Sequence, residues 1–164
     1  MASKNEIIAA IQDGIERVEA TFGALTDEQL AVTVHNGDGG WTAHAVLAHL
    51  AGRAQGHQLI LSMATSTSPP DMSGFNVNDW NQQIVDERAG RSRDELLQEF
   101  RQAHEALIEN VRELPDGALE MMIPSPRGGE IVLGDMLAGS GGRHSVSHAT
   151  EVEQALGVAK EQEA

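Results

Sequence analysis

Long apolar stripes of helical period, each bracketed by start and stop signals, narrow the fold of this chain more than any other feature. Ser3 and Glu6 are spaced as a capping box, and Ile7, Ile8, Ile11, Ile15, Val18 and Phe22 follow on one stripe, which predicts a first helix of about five turns. A short helical turn is expected at Thr26 to Leu30, and the turn-forming run from His35 to Gly40 reads as loop. Thr42 is placed to cap a second helix, with Trp41 before it positioned as a staple toward Val46; this helix is expected to run to about Met63, ahead of Pro69 and Pro70. A shorter helix is predicted from about Asn76 to Arg88. A second capping box, Ser92 and Glu95, opens a third long helix whose stripe of Leu96, Phe100, His104, Leu107, Val111 and Leu114 stops at Pro115-Asp116-Gly117.

Met121 to Val132, interrupted by Pro124, Pro126, Gly128 and Gly129, is expected to be a loop or a short hairpin. The last helix should start near Leu133 and finish at Gly157, with Leu133, Met136, Leu137, Ser140, His144, His148, Val152 and Ala155 on its inner side. Gly139, Gly141 and Gly142 predict a bend within it, since each costs roughly 0.8–1 kcal/mol relative to alanine in a helix interior. Four long helices without strand alternation imply an all-α four-helix bundle, with the Asn76 segment lying across a long crossover. One bundle domain over residues 1–160 and a frayed tail at 161–164 are expected.

Composition limits what such a bundle does. The 164-residue chain has no cysteine, so disulfides, thiolate metal sites and thiol nucleophiles are excluded, and histidine and carboxylate are its strong ligands. Its 25 acidic and 11 basic residues give a net charge of −14, which repels a phosphate backbone. Two Trp, three Phe and no Tyr leave little with which to stack bases, so nucleic acid is an unlikely partner class and a small molecule the expected one. No apolar run approaches the roughly 18 residues of a membrane span, and the N-terminus lacks a basic segment followed by an apolar core, so a cytoplasmic location without membrane insertion is expected.

His144 and His148 are four apart on the last helix, so their side chains rise from neighbouring points on one face. His49 lies near the apolar face of the second helix, close to one turn after Val46. Two readings are open on periodicity alone. In one, the three imidazoles share a divalent metal ion and leave a fourth position for water, substrate or a thiol; in the other, they are core histidines bonded to backbone or carboxylate. His104 lies on an apolar stripe and is read as a core residue in preference to a fourth ligand. His35 and His57 are expected in loop and surface positions, and His44 toward solvent or a cleft edge. Glu151, three residues beyond His148, is the candidate catalytic base for a metal-bound water, against the plainer reading of an exposed helix carboxylate.

The run Gly40-Trp41-Thr42-Ala43-His44-Ala45-Val46-Leu47-Ala48-His49-Leu50-Ala51-Gly52 resembles the second-helix signature of the DinB/YfiT-like superfamily, especially the N-terminal domain of mycothiol-dependent maleylpyruvate isomerases. The resemblance extends more loosely through Ser92 to Leu97, Leu114 to Asp116 and Gly134 to Leu137, and on to His144-Ser145-Val146-Ser147-His148-Ala149-Thr150-Glu151-Val152. It implies a four-helix, commonly dimeric fold, and zinc or nickel on His49, His144 and His148. It also implies a low-molecular-weight thiol such as mycothiol, bacillithiol or glutathione as cosubstrate of an S-transferase or isomerase reaction. The chain ends at Ala164, so the additional C-terminal domain of those isomerases is expected to be missing, with its substrate contacts; Val132-Leu133 stands where a polar cap would open the last helix. A metal-dependent thiol transferase is therefore the leading expectation. A metal-dependent hydrolase, a non-catalytic metal- or ligand-binding bundle, and a metal-free bundle acting through dimerisation are its rivals.

Overall fold

A computed structural model describes residues 2–34, 40–66, 68 and 71–157. His35 with most of the predicted turn around it, Pro69 and Pro70, and the predicted tail at 161–164 lie outside the described residues. Helix α1, Lys4–Gly23, opens on the predicted capping box and turns Ile7, Ile11, Ile15, Val18 and Phe22 inward. The four-residue α2, Asp27–Leu30, carries a second reciprocal cap from Thr26 and Gln29. Backbone hydrogen bonds from Val34 to Trp41 and from Ala43 to Val32 then clamp the entry to α3, Ala43–Thr65, whose first turn is capped by the Thr42 hydroxyl.

Helix α3 is the centre of the bundle. Residues 46–52 are all buried, because α5, Arg93–Glu113, and α4, Val77–Arg88, both pack on it, so the single inward stripe expected for this helix is replaced by burial on most sides. Two glycines set the spacing to α4. A Cβ at Gly52 would stand 2.3 Å from the Ile84 side chain and 2.7 Å from the Arg88 guanidinium, and one at Gly56 would stand 2.8 Å from the Trp80 ring. Arg88, 2% exposed, is held by Glu99 through Nε and Nη2 and by the Ile84 carbonyl oxygen, so its buried charge is paired and hydrogen-bonded. Helix α4 is thereby fixed across one face of α3.

After Pro115 a 3₁₀ turn, Ala118–Glu120, leads into an antiparallel hairpin of β1, Met122–Pro124, and β2, Glu130–Val132, with Ile123 opposite Ile131. Strand content falls within 120–132, where it was expected. Helix α6, Leu133–Ala138, starts directly from β2 without a side-chain cap. The glycine cluster then forms a π-helical turn, Gly139–Arg143, which runs without a break into α7, His144–Leu156; Gly157 ends that helix with φ +72°.

The π turn corrects the inward face predicted for the last helix. Its extra residue advances the buried stripe by one position, so Gly141, Ser145, Ala149 and Val152 face the core, while His144 and His148 stand beside the stripe, half-buried, and Ala155 is exposed. The turn is seated on α1 at very short range: a Cβ at Gly142 would lie 2.3 Å from the Ala10 carbonyl oxygen, and one at Gly141 would lie 2.9 Å from Leu107 and 3.0 Å from Ile11. Farther along, Arg17 and Thr21 of α1 both bond Glu153 of α7.

The interior also corrects the surface position expected for His57. It is 1% exposed, because the π turn lies over that side of α3, and its Nε2 is 3.1 Å from the Ser140 hydroxyl. His104 is buried as expected, with Nδ1 donating to the Phe100 carbonyl oxygen at 2.8 Å and its ring edge-on to that of His57. His44 is half-buried at the helix start, with Nε2 bonded to the Arg91 carbonyl oxygen.

Two outcomes follow from this packing. Gly142→Ala should destabilise the fold by about 1–3 kcal/mol in urea unfolding, since the new methyl meets backbone that cannot rotate away. Gly23→Ala, with nothing within 4 Å of the new Cβ, should be neutral or slightly stabilising; equal effects at the two positions would contradict the close seating. The second outcome concerns pH. Burial pushes the His57 imidazole down to about 3, with His104 and Arg53 adding to it, and burial pushes His104 down to about 4. In the unfolded chain both titrate near 6.5, so the unfolded state takes up protons first as the medium acidifies. Their neutral burial leaves stability intact above about pH 6.5 and lowers it progressively as pH falls toward 4 and then 3. His57→Gln should flatten the decline in unfolding free energy between pH 6.5 and 4, and an unchanged slope would refute this source of acid sensitivity.

Candidate metal centre

His49 comes from the middle of the α3 run that is buried on most sides, and His144 and His148 from the first turn and a half of α7. The three rings meet edge-on, with centroids 5.3 Å apart for His49 and His144, 5.3 Å for His49 and His148, and 4.4 Å for His144 and His148. Nε2 of His49 lies 3.0 Å from Nε2 of His144, and one nitrogen from each of the three rings falls within 4.8 Å of the others. All three residues singled out from the sequence thus come together, and His104 lies outside the cluster.

The surroundings suit a metal donor set. Burial, reinforced by the Arg53 charge and by the other two histidines, holds the His144 imidazole far below its ordinary value, so it is neutral and keeps a lone pair. Two imidazole Nε2 atoms at 3.0 Å either share one proton or share an ion. A tetrahedral ion bonded at 2.0–2.1 Å would set donor nitrogens about 3.3 Å apart, close to this spacing. Glu151 reaches back one turn to His148. Its Oε2 is bonded to His148 Nδ1 at 2.9 Å, which leaves Nε2 of that ring for the cluster, as carboxylates do behind metal-bound imidazoles. Trp41 packs its ring 4.9 Å from that of His49 and donates its indole N–H to Gln82 of α4, tying the centre to the crossover helix.

The triad opens onto a cavity of about 350 Å³ whose rim includes Trp41, Asn81, Arg53 and Arg127. His49 is 1% exposed, whereas His144 and His148 are half-buried and face this opening. Arg53 and Arg127 were not among the residues singled out from the sequence. Arg53 was legible, since it stands four residues after His49 on the same helix face. Arg127 was not, because the hairpin turn that carries it has no periodicity to read.

Comparison with known proteins bears on this arrangement. Residues 11–138 match the family model described as the mycothiol maleylpyruvate isomerase N-terminal domain, a span that contains His49 and ends before His144. No curated protein matches the sequence. Among solved structures, YfiT from Bacillus subtilis, characterised as a probable metal-dependent hydrolase with an unusual four-helix bundle topology, superposes with a TM-score of 0.75 at 19% identity, covering 96% of this chain and 91% of its own. A mycothiol-dependent maleylpyruvate isomerase superposes with a TM-score of 0.75 at 15% identity over 92% of this chain, which spans only 61% of the isomerase. A histidine-to-alanine variant of such an isomerase gives the same TM-score at 14% identity. At these identities the structures speak for the fold, a YfiT-like four-helix bundle. The family match, which covers well over half of the sequence, makes the chain a member of the mycothiol maleylpyruvate isomerase N-terminal domain family.

Proposed function

We propose that the chain is a metal-dependent enzyme in which His49, His144 and His148 hold one divalent ion and direct its open position into the adjoining cavity. The observation that carries this reading is the convergence of three imidazole nitrogens within 4.8 Å at the mouth of that cavity. An all-imidazole set accepts zinc or nickel readily. Such an ion, when bound, lowers the pKa of a coordinated thiol or water enough to yield a nucleophile at neutral pH.

The protein's own groups have distinct parts in this scheme. His49, held by the α3 packing and the Trp41 ring, is the rigid donor; His144 offers a lone pair kept unprotonated by its surroundings; and Glu151 orients His148 and raises its basicity. Glu151 is accordingly assigned a positioning role in place of the base expected from its sequence position. The nucleophile we favour is a low-molecular-weight thiol, because the chain has no cysteine and its family is named for a mycothiol-dependent isomerase. Water is the second candidate. It is favoured by the likeness to YfiT, which is characterised as a probable metal-dependent hydrolase.

The purified protein should carry about one divalent ion per chain by elemental analysis. His148→Ala should weaken zinc binding at least about a hundredfold in competition with a chelator, Glu151→Gln by about ten- to a hundredfold, and His104→Ala should leave it unchanged. Retention of stoichiometric zinc by His49→Ala, His144→Ala and His148→Ala alike would overturn the metal centre. Loaded protein supplied with mycothiol and a chloronitrobenzene electrophile should consume the thiol. Ester hydrolysis without thiol consumption would decide for water.

A further inference from the structure

The arginines of this acidic chain are distributed unevenly. Arg17, Arg88, Arg91, Arg93, Arg101 and Arg112 each pair with a carboxylate, whereas Arg53, Arg127 and Arg143 pair with none among the described residues. With 25 acidic residues in the chain, that is not for want of partners. All three unpaired arginines line one cleft. Arg53 and Arg127 border the cavity of the histidine triad, and together with Arg143 and His144 they border a second cavity of about 480 Å³ that continues from it. Asp135 also lines this second cavity and pairs with none of the three.

Arg53 is half-buried on α3, and the nearby positive charge of Arg127 together with burial disfavours its own charge. Two guanidiniums that repel each other, one of them partly desolvated and neither paired with a carboxylate among the described residues, destabilise the cleft. An oxyanion between them would relieve that cost and satisfy their planar donors. Beyond Arg53 and Ser140 the cleft narrows to an apolar crevice of about 50 Å³ between Phe75, Trp80 and Met136, whereas the larger cavity carries an apolar wall of its own in Val77, Pro126, Ile131 and Met136. The adjoining cavities are of the size that holds metabolite-sized ligands.

We propose that Arg53 and Arg127 form an oxyanion subsite beside the histidine triad, which takes the carboxylate or phosphate of a small molecule whose apolar body lies along Val77, Ile131 and Met136 in the larger cavity. This names the substrate class of the proposed enzyme and rests on that reading for its place next to the ion; the affinity for the anion itself needs no metal. The subsite selects an amphiphilic organic anion over a neutral molecule of the same shape.

The test is calorimetric titration of the full chain, metal-stripped and zinc-loaded, with 4-phenylbutyrate, 2-phenylethyl phosphate and the neutral 4-phenylbutyramide. At least one anion should bind about tenfold or more tightly than the amide, and which anion binds better identifies the headgroup. Arg53→Gln and Arg127→Gln should each weaken that anion about tenfold and leave the amide unaffected. Because Arg53 pairs with no carboxylate among the described residues, Arg53→Gln should melt no lower than the parent, whereas a purely structural arginine would lower the melting temperature. Zinc titration of the same variants separates the two readings. Stripped His148→Ala should lose zinc and keep the anion, and Arg53→Gln should keep zinc and lose the anion. Equal affinity for anion and amide, no anion binding at millimolar concentration, or anion binding indifferent to both arginine substitutions would overturn the subsite while leaving the metal centre standing. Anion binding that survives in a parent protein unable to hold zinc would leave the subsite and remove the metal centre.

Discussion

The contact on which the rest of this structure depends is the seating of the π turn against the backbone of α1. Gly142 brings the last helix so near the Ala10 carbonyl oxygen that no side chain fits between them, and Gly141 does the same against Ile11 and Leu107. A helix pressed this closely is fixed in rotation as well as in position. The π turn then adds one residue to the winding, which passes the core stripe to Ser145, Ala149 and Val152 and leaves His144 and His148 at the cavity edge. The glycine cluster thus locates the centre as well as bending the helix.

Much of this fold was legible in the sequence because its signals are local. The capping boxes at Ser3 and Ser92 and the cap at Thr42 fall where the residues predict them, and the hairpin lies within the stretch expected to be a loop or short hairpin. The errors arose where tertiary packing decides the outcome. His57 looked exposed because periodicity describes one helix at a time, and α3 is covered on most sides by elements far away in sequence. The phase shift at Gly139 was unreadable for a similar reason. Glycines announce a break but do not say whether the chain will bend, stop or insert a π turn, and here the answer came from the space beside Ala10. Of the site, the three histidines were visible as inward positions on two helices. Arg127 was invisible, since a hairpin turn brings it to the cavity from outside the helical pattern.

Electrostatics links the scaffold to the site. Where the chain uses arginine structurally, it supplies a carboxylate, as Glu99 does for the buried Arg88 and Glu153 for Arg17. The cleft departs from that practice: its arginines pair with no carboxylate among the described residues, and His144 beside them is held neutral by burial and by the charge of Arg53. Imidazole nitrogens next to guanidiniums without carboxylate partners are costly for the folded state, and they are the combination a site needs to bind a metal and an anion together.

The central claim is that His49, His144 and His148 converge to ligate one ion. X-ray absorption spectroscopy of the zinc-loaded protein tests it most directly, since outer-shell scattering from imidazole rings counts the histidine ligands. The account predicts three imidazoles with nitrogens about 2.0–2.1 Å from zinc and one further light-atom ligand, with the imidazole count falling in His148→Ala. A first shell dominated by carboxylate or water oxygen, or an imidazole signal unchanged by that substitution, would contradict it.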